Sequence, residues 1–440
     1  MSLSVVIVGS GPGGMYVVEA LTKNLPDCRI DVIDRLPSPF GLVRFGVAPD
    51  HQAIKSVSRV FDKSMRRENV RYLGNVELGR DVSYDELKEM YDAVVLAFGT
   101  PIGRRLGVPG EDAGGVYNSD AMVAWYSGHP DFEALNPDLS GSSAVVIGIG
   151  NVALDVARML ARTEAELADT DTTGYAVDAI KNGNIEDIYV VGRRGPIEGA
   201  FTRAELGEMG ELERGVALVN EEQLPEQVDA DMDPRDLRIK EANLKVLRSY
   251  IGNDAGAKPV RVHFEFYASP KEFLTEVRHS KEHVVAVRVE RTRVENGRAV
   301  GTGETFDIPA DVVVPSVGYQ ADPGTGAPLD EWGSVVENKD GRVEPGVYAV
   351  GWAKRGPTGT IAVNRKDSHE VARLLIEDME DNSSKPGGDE LDKMLTERAV
   401  RVVSYDEWLK IEAAEVAAAT PPAPRRKFTS IDAMLAVLNG

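Results

Sequence analysis

The chain of 440 residues contains a single cysteine, Cys28. One thiol excludes an internal disulfide framework, a dithiol redox centre and a cysteine-ligated cluster within the chain, and it suits a reducing compartment. Basic charge is also scarce. Lys and Arg number 50 against 71 Asp and Glu, giving a formal net charge of −21. Such a surface argues against a nucleic-acid binder and against adsorption to anionic membranes. Any anionic ligand must then be held locally, by a basic cluster or by backbone N–H groups at a helix N-terminus. No run of about 18 apolar residues occurs, so no membrane insertion is expected. The first strand is expected from Leu3 onward, which leaves no room for a signal or transit peptide. The expectation is a cytoplasmic protein.

What is present is globular: 42% hydrophobic and 28% charged residues, over a length that suggests two or three domains of about 100–200 residues each. Leu3 to Val8 reads as a valine-rich strand, Gly9 to Gly14 as a turn, Met15 to Lys23 as a helix, and Arg29 to Asp34 as a second strand ending in an acid. Asp92 to Phe98 is a further buried strand. The pattern then restarts at Ser143 to Ile147, with a turn from Gly148 to Ala153, a helix to about Arg162, and a strand at Asp187 to Val191. Thr163 to Asn184 reads as an added helix and loop. Arg261 to Tyr267 and Val284 to Arg293 alternate apolar and polar residues, as in an antiparallel hairpin or meander. Asp311 to Val317 and Gly346 to Gly351 are later strands.

The fold class is therefore α/β, with two Rossmann-like dinucleotide-binding domains. The second is inserted into the first, with expected limits 1–104, 105–325 and 326–440. In the tail, Asp381 to Asp389 reads as a surface loop, Tyr405 to Ala419 as a helix, Thr420 to Arg426 as a proline linker and Ile431 to Leu438 as a last short helix. His279 and His283 have an i, i+4 spacing that suits a metal, but no third ligand accompanies them; they read as solvated, and no metal is expected.

The first glycine fingerprint is Gly9, Gly11 and Gly14, with Asp34 twenty residues further on. The glycines allow a tight turn and close backbone approach to a pyrophosphate, and the acid can accept hydrogen bonds from a ribose. The second is Gly148, Gly150 and Ala153. Its second strand ends in Gly192-Arg193-Arg194, where a guanidinium pair suits the 2′-phosphate of NADP rather than NAD. With only one nicotinamide-specificity signal, the first site suits FAD. Gly351-Trp352 and the stretch GPTGTI (Gly356 to Ile361) can bring backbone N–H groups to a flavin ring, although Trp352 also reads as a core aromatic.

Five segments go further: FGLVRFGVAPDH (Phe40 to His51), GNVALDVAR (Gly150 to Arg158), VGRRGP (Val191 to Pro196), AFTRAEL (Ala200 to Leu206) and VGWAKRGPTGTI (Val350 to Ile361). In this order, and over most of the chain, they resemble the adrenodoxin reductase family of ferredoxin–NADP reductases. The resemblance implies an FAD domain interrupted by an NADP domain. Hydride would pass from NADPH to FAD, and single electrons to a ferredoxin-type iron–sulfur protein. It implies FAD contacts at Gly13, Asp34, Leu42, Leu78, Trp352, Gly359, Thr360 and Ile361. NADP contacts are implied at Ile149, Gly150, Asn151, Val152, Arg193, Arg194 and Glu205, with Arg104 as a further candidate. His51 and Asp155 match a proposed proton relay; without the resemblance, His51 reads as a loop histidine beside Asp50 and Asp155 as a solvated helix position.

Two positions depart from the pattern. Asp34 stands where Glu is expected, and Ile149 where a polar residue is expected. An acidic ferredoxin needs a basic patch, for which Arg235, Arg238, Lys240, Lys245 and Arg248 are candidates; the same stretch, with Asp236 and Glu241, also reads as an ordinary charged helix. A flavin monooxygenase, or a diaphorase-like reductase serving another redox partner, stays open as an alternative. A monomer or weak dimer is expected.

Overall fold

The computed structural model describes residues 3–229, 232–278, 280–379 and 385–439. His279 and residues 381–384 of the expected loop lie outside the described residues. The chain divides into two compact units. The first comprises Met1–Ile102, Ser127–Glu133 and Gly318–Gly440, and the second Gly103–Tyr126 and Ala134–Val317. The expected limits at 104 and 325 differ from these for a physical reason. The turn after Asp322 packs on the first unit, where a Cβ at Gly79 would lie 2.0 Å from the Gly324 carbonyl oxygen. Ser127–Glu133 also counts with that unit: Lys427 Nζ donates to the Ser127 carbonyl (2.8 Å) and Arg35 pairs with Asp131 (2.5 Å).

In the first unit the sheet runs in the order Arg342–Glu344, Val347–Ala349, Ala93–Leu96, Ser4–Val8, Arg29–Asp34, Val70–Gly74. All pairings are parallel except that of the Arg342–Glu344 edge. A parallel strand covered on both faces is apolar along most of its length, as Ser4–Val8 (SVVIV) is. Alternate side chains serve opposite cores. Val5 and Ile7 join one cluster with Met15, Leu375, Trp408 and Ile411, while Val6 and Val8 join another with Leu87, Leu391 and Leu395. The helices Tyr405–Ala417 and Ile431–Ala436 thus belong to this core, with Trp408, Ile411 and Met434 buried. Each such side chain contributes about 1.5–3 kcal/mol by burial.

The second unit has a five-stranded parallel sheet in the order Val312–Pro315, Ser143–Ile147, Asp187–Val191, Val260–Glu265, Gly215–Val219. A separate antiparallel sheet consists of Ala268–Arg278, Lys281–Glu295 and Arg298–Pro309. This corrects one expectation: residues 261–265 are part of the parallel sheet, not of a hairpin. One face of Val260–Glu265 is only half covered, so its side chains alternate in burial as those of a hairpin strand would. The added segment after Asn151–Ala161 holds two helices, Glu164–Leu167 and Gly174–Asn182, rather than one. Among the described residues, no helix is long and apolar enough to cross a membrane.

Cys28 is 3% exposed, and burial, with the Asp92 carboxylate adding to it, pushes its thiol up to about 12. The reactive thiolate is therefore scarce at pH 8. The native protein should give no colour with a disulfide thiol reagent over minutes, and one equivalent after denaturation. Rapid stoichiometric labelling of the native protein would contradict this packing.

Candidate dinucleotide sites

The first cradle is built by contacts that leave no room for larger residues. At Gly9 (φ +106°) a Cβ would lie 2.6 Å from the Ala97 carbonyl oxygen, and at Gly14 it would lie 2.1 Å from that of Gly9. At Gly11 it would meet nothing within 4 Å. The helix Pro12–Asn24 thus opens onto free space, and its N-terminal residue, Gly11, supplies no side-chain cap. The first-turn N–H groups remain available to an anion. Gly13 lies beside the Gly351 turn, 3.5 Å from its Cα by the same measure, and its carbonyl accepts from Ser368 Oγ (2.9 Å).

Asp34 ends its strand beside this turn. Its Oδ2 accepts from the Ser10 amide (3.0 Å) and Ser10 Oγ (2.5 Å), and its Oδ1 from the Leu36 amide (3.1 Å). Burial raises its pKa, and these hydrogen bonds oppose the rise. Ser10 also accepts from the Phe40 amide (3.0 Å), which anchors the segment carrying Leu42. Leu42 is 44% exposed, whereas Leu78 is buried. Trp352 stacks on Tyr319 (centroids 5.9 Å apart), and its buried Nε1 has no partner among the described residues. That orphaned donor, the open space at Gly11 and the uncapped helix suit a dinucleotide at this turn. The helix Ile361–Asp378 also starts without a side-chain cap, after Thr360 and an exposed Gly359 (φ +83°).

Asp367 organises this side. It accepts from the Gly351 amide (2.8 Å), Lys354 Nζ (2.8 Å) and Arg355 Nη1 (2.9 Å). One helix therefore fixes the Gly351 turn through Asp367 and Gly13 through Ser368.

The second cradle repeats the design. At Gly148 (φ +149°) a Cβ would lie 2.3 Å from the Ser316 carbonyl oxygen, whereas at Gly150 the nearest atom would be 3.9 Å away. The helix Asn151–Ala161 likewise has no side-chain cap, and Ala153 is fully buried where it meets the sheet. The AFTRAEL segment returns alongside: the Ala200 amide donates to the Ile149 carbonyl (2.8 Å), and the Thr202 amide to Asn151 Oδ1 (2.8 Å). Val152 is half-buried. Ile149 packs on Gly192, where a Cβ would come within 2.7 Å of Cγ2. An apolar contact thus occupies the position where a polar side chain is expected. Arg193 and Arg194 have their carbonyls held by Thr292 Oγ1 (2.7 Å) and the Tyr267 amide (3.2 Å). The Arg193 side chain is exposed and that of Arg194 half-exposed. Arg104 is exposed in the second unit, after Gly103, whose amide donates to Asp120 (3.1 Å).

Asp155 is no solvated helix position. Arg158, 0% exposed, pairs with Asp155 (2.7 Å), Glu205 (3.1 Å) and Glu208 (3.0 Å). Sequence reasoning missed this buried guanidinium, although the i, i+3 spacing from Asp155 was a signal for it. Arg158→Met should cost about 3 kcal/mol, because three crowded carboxylates lose their cation. A thermal melt should fall by about 6–12 °C; an unchanged midpoint would contradict the pairing. His51, half-buried, lies in the first unit at the start of Gln52–Lys55, and Asp155 lies in the second.

The helix Pro234–Arg248 carries the five candidate cations of the basic patch. Lys240 Nζ donates to the Gly199 carbonyl (2.7 Å), with its pKa lowered by burial, and Arg248 donates to the carbonyls of Pro225 (2.8 Å) and Glu226 (2.5 Å). Arg235, Arg238, Lys245 and Arg248 are exposed, and Lys240 is half-buried. His283 is not simply solvated either, since it packs on Gly114, where a Cβ would lie 2.7 Å from its ring.

Two glycine cradles on two parallel sheets define a two-dinucleotide oxidoreductase. The family described as pyridine nucleotide-disulphide oxidoreductase matches residues 3–169. The chain is 40% identical to NADPH:adrenodoxin oxidoreductase, mitochondrial, of Arabidopsis thaliana, over 94% of this chain and 90% of that one. It is 38% identical to NADPH-ferredoxin reductase FprA of Mycobacterium tuberculosis, over 98% of each. The solved structure of Mycobacterium tuberculosis FprA in complex with NADPH matches with a TM-score of 0.94 at 37% identity, over 100% of both chains. The chain belongs to the adrenodoxin reductase-like family of ferredoxin–NADP reductases.

Proposed function

We propose that this protein is an FAD-dependent reductase that oxidises NADPH and reduces a ferredoxin-type iron–sulfur protein. The observation that carries the reading is the pair of uncapped helix N-termini behind glycine turns, only the second of which is followed by two arginines. The first cradle holds FAD: Gly9, Gly11, Gly13 and Gly14 admit its pyrophosphate, and Asp34 faces its ribose. Leu42, Leu78, Trp352, Gly359, Thr360 and Ile361 bound the ring side. FAD, when bound, accepts hydride from a nicotinamide and releases electrons singly to a one-electron partner.

The second cradle holds NADP(H). Gly148 to Val152 receive the pyrophosphate, Arg193 and Arg194 fork the 2′-phosphate, and Glu205 and Arg104 complete the site. His51 and Asp155 balance protons with solvent. The electron acceptor is a ferredoxin-type iron–sulfur protein, and Arg235, Arg238, Lys245 and Arg248 supply local positive charge for it on a chain of net charge −21. On this reading the first unit carries the flavin and the second the nicotinamide coenzyme.

The test is to purify the protein and identify the chromophore released by heat. FAD at about one equivalent per chain supports the assignment. A colourless protein that takes up no added FAD refutes it.

A further inference from the structure

The tail after residue 400 is not absorbed by the fingerprints, yet it reaches the turn that borders the first cradle. That turn, Leu42–Phe45 with Gly41 before it, packs on the fingerprint: a Cβ at Gly41 (φ +48°) would lie 3.2 Å from the Gly11 Cα. Its Arg44 points away into the first unit and is 6% exposed. There Arg44 Nη2 pairs with Glu415 Oε1 at 2.5 Å, and the guanidinium lies over the rings of Trp408 (4.9 Å) and Phe45 (5.0 Å). Glu415 is 0% exposed and also accepts from the Phe428 amide (3.0 Å). The chain then doubles back, so that Lys427 Nζ donates to the Arg44 carbonyl (3.0 Å) and the Ser127 carbonyl (2.8 Å). Lys55 Nζ reaches the same Arg44 carbonyl (3.4 Å).

Both ends of Arg44 are thus gripped by the tail: its guanidinium by Glu415, its carbonyl by Lys427. Burying a lysine and a glutamate costs free energy unless each is fully paired. A merely apolar tail would have stabilised the core without that cost. The arrangement instead fixes one short turn from two directions, and that turn is the one lying against Gly11.

We propose that the segment Tyr405–Phe428 is a strap that holds the Gly41–Phe45 turn against the first cradle, with Glu415 and Lys427 as positioning residues for retention of the flavin dinucleotide. The proposal rests on the reading that this cradle holds FAD. Neither residue touches the reacting atoms; both act through Arg44.

The experiment compares holoenzyme carrying Glu415→Gln, Lys427→Met, Lys427→Arg and Glu412→Gln. Glu412 pairs with Arg425 (3.0 Å), which also lies 3.8 Å from Glu415 Oε2, and Glu412→Gln serves as a control that loosens this part of the tail while leaving the Arg44–Glu415 pair in place. FAD release is followed by the rise of free-flavin fluorescence after dilution, together with the visible absorption and circular dichroism of the bound flavin. Glu415→Gln and Lys427→Met should each speed release by about tenfold or more and alter the flavin spectrum, as expected for loss of a charge-assisted contact. Lys427→Arg should recover most of the retention, and Glu412→Gln should stay within about twofold of the parent. Parent-like release and spectra in Lys427→Met would overturn the strap, even where the melting temperature falls. That variant decides the matter if Glu415→Gln does not accumulate as folded protein. A parent protein that holds no FAD would instead refute the assignment of the cradle.

Discussion

Replacing Arg193 and Arg194 together by alanine should lower kcat/KM for NADPH by about 100-fold and leave the value for NADH within about threefold. Each guanidinium can donate two parallel hydrogen bonds to a phosphate, and a charge-assisted contact of this kind contributes about 1.5–3 kcal/mol. Two such contacts, partly screened by solvent, come to about 3 kcal/mol, which is the stated factor. The backbone at both positions is held by Thr292 and Tyr267, so the truncation should not unfold the loop. Because NADH lacks the 2′-phosphate, it gains nothing from the arginines and loses nothing with them. Steady-state reduction of an artificial acceptor at low salt measures both values. Equal losses for the two coenzymes would mean that the arginines serve the loop rather than the phosphate.

The second large effect separates two glycines of the first cradle. Gly14→Ala places a methyl 2.1 Å from the Gly9 carbonyl oxygen and 3.0 Å from Ile7 Cγ2, and the nearer of these atoms is backbone that cannot swing aside. The helix Pro12–Asn24 must then lift off its strand, a loss of about 1–3 kcal/mol or more. The apoprotein should melt several degrees lower and bind no FAD. Gly11→Ala is the contrasting case. Gly11 has φ −69°, which alanine adopts freely, and no protein atom lies within 4 Å of the new methyl. Its apoprotein should melt with the parent, yet FAD affinity should fall by about 100-fold, since the methyl enters the space left for the pyrophosphate. Calorimetry of the apoproteins and flavin titration separate the two effects. A Gly11→Ala protein that retains stoichiometric FAD would show that this open space is not the phosphate site.

Much of this was legible in the sequence because it depends on local rules. Short apolar-rich runs between turn residues mark the strands of the two sheets, and Arg29–Asp34, Ser143–Ile147 and Asp187–Val191 have the bounds expected. Turns that need positive φ at Gly9 and Gly148 announce themselves as glycine. What stayed hidden is non-local. Nothing near Glu415 signals a partner 371 residues away, and a buried Arg44 looks like any exposed arginine. Asp367 reads as one more charge on a helix until its three donors are seen. The residues 261–265 misled because a strand covered unequally on its two faces alternates as a hairpin strand does. On the basic helix, composition shows five cations, but only the structure shows that Lys240 and Arg248 also hold neighbouring carbonyls.

The central claim is tested most directly by rapid mixing of the purified protein, under anaerobic conditions, with NADPH or NADH and then with an oxidised ferredoxin. Absorbance in the flavin band should bleach fast with NADPH and much more slowly with NADH, and it should return on addition of ferredoxin. Equal bleaching by the two coenzymes would contradict the assignment of Arg193 and Arg194. Bleaching by NADPH that ferredoxin does not reverse, but that oxygen with an organic substrate does, would contradict the role as a ferredoxin reductase while leaving the fold intact.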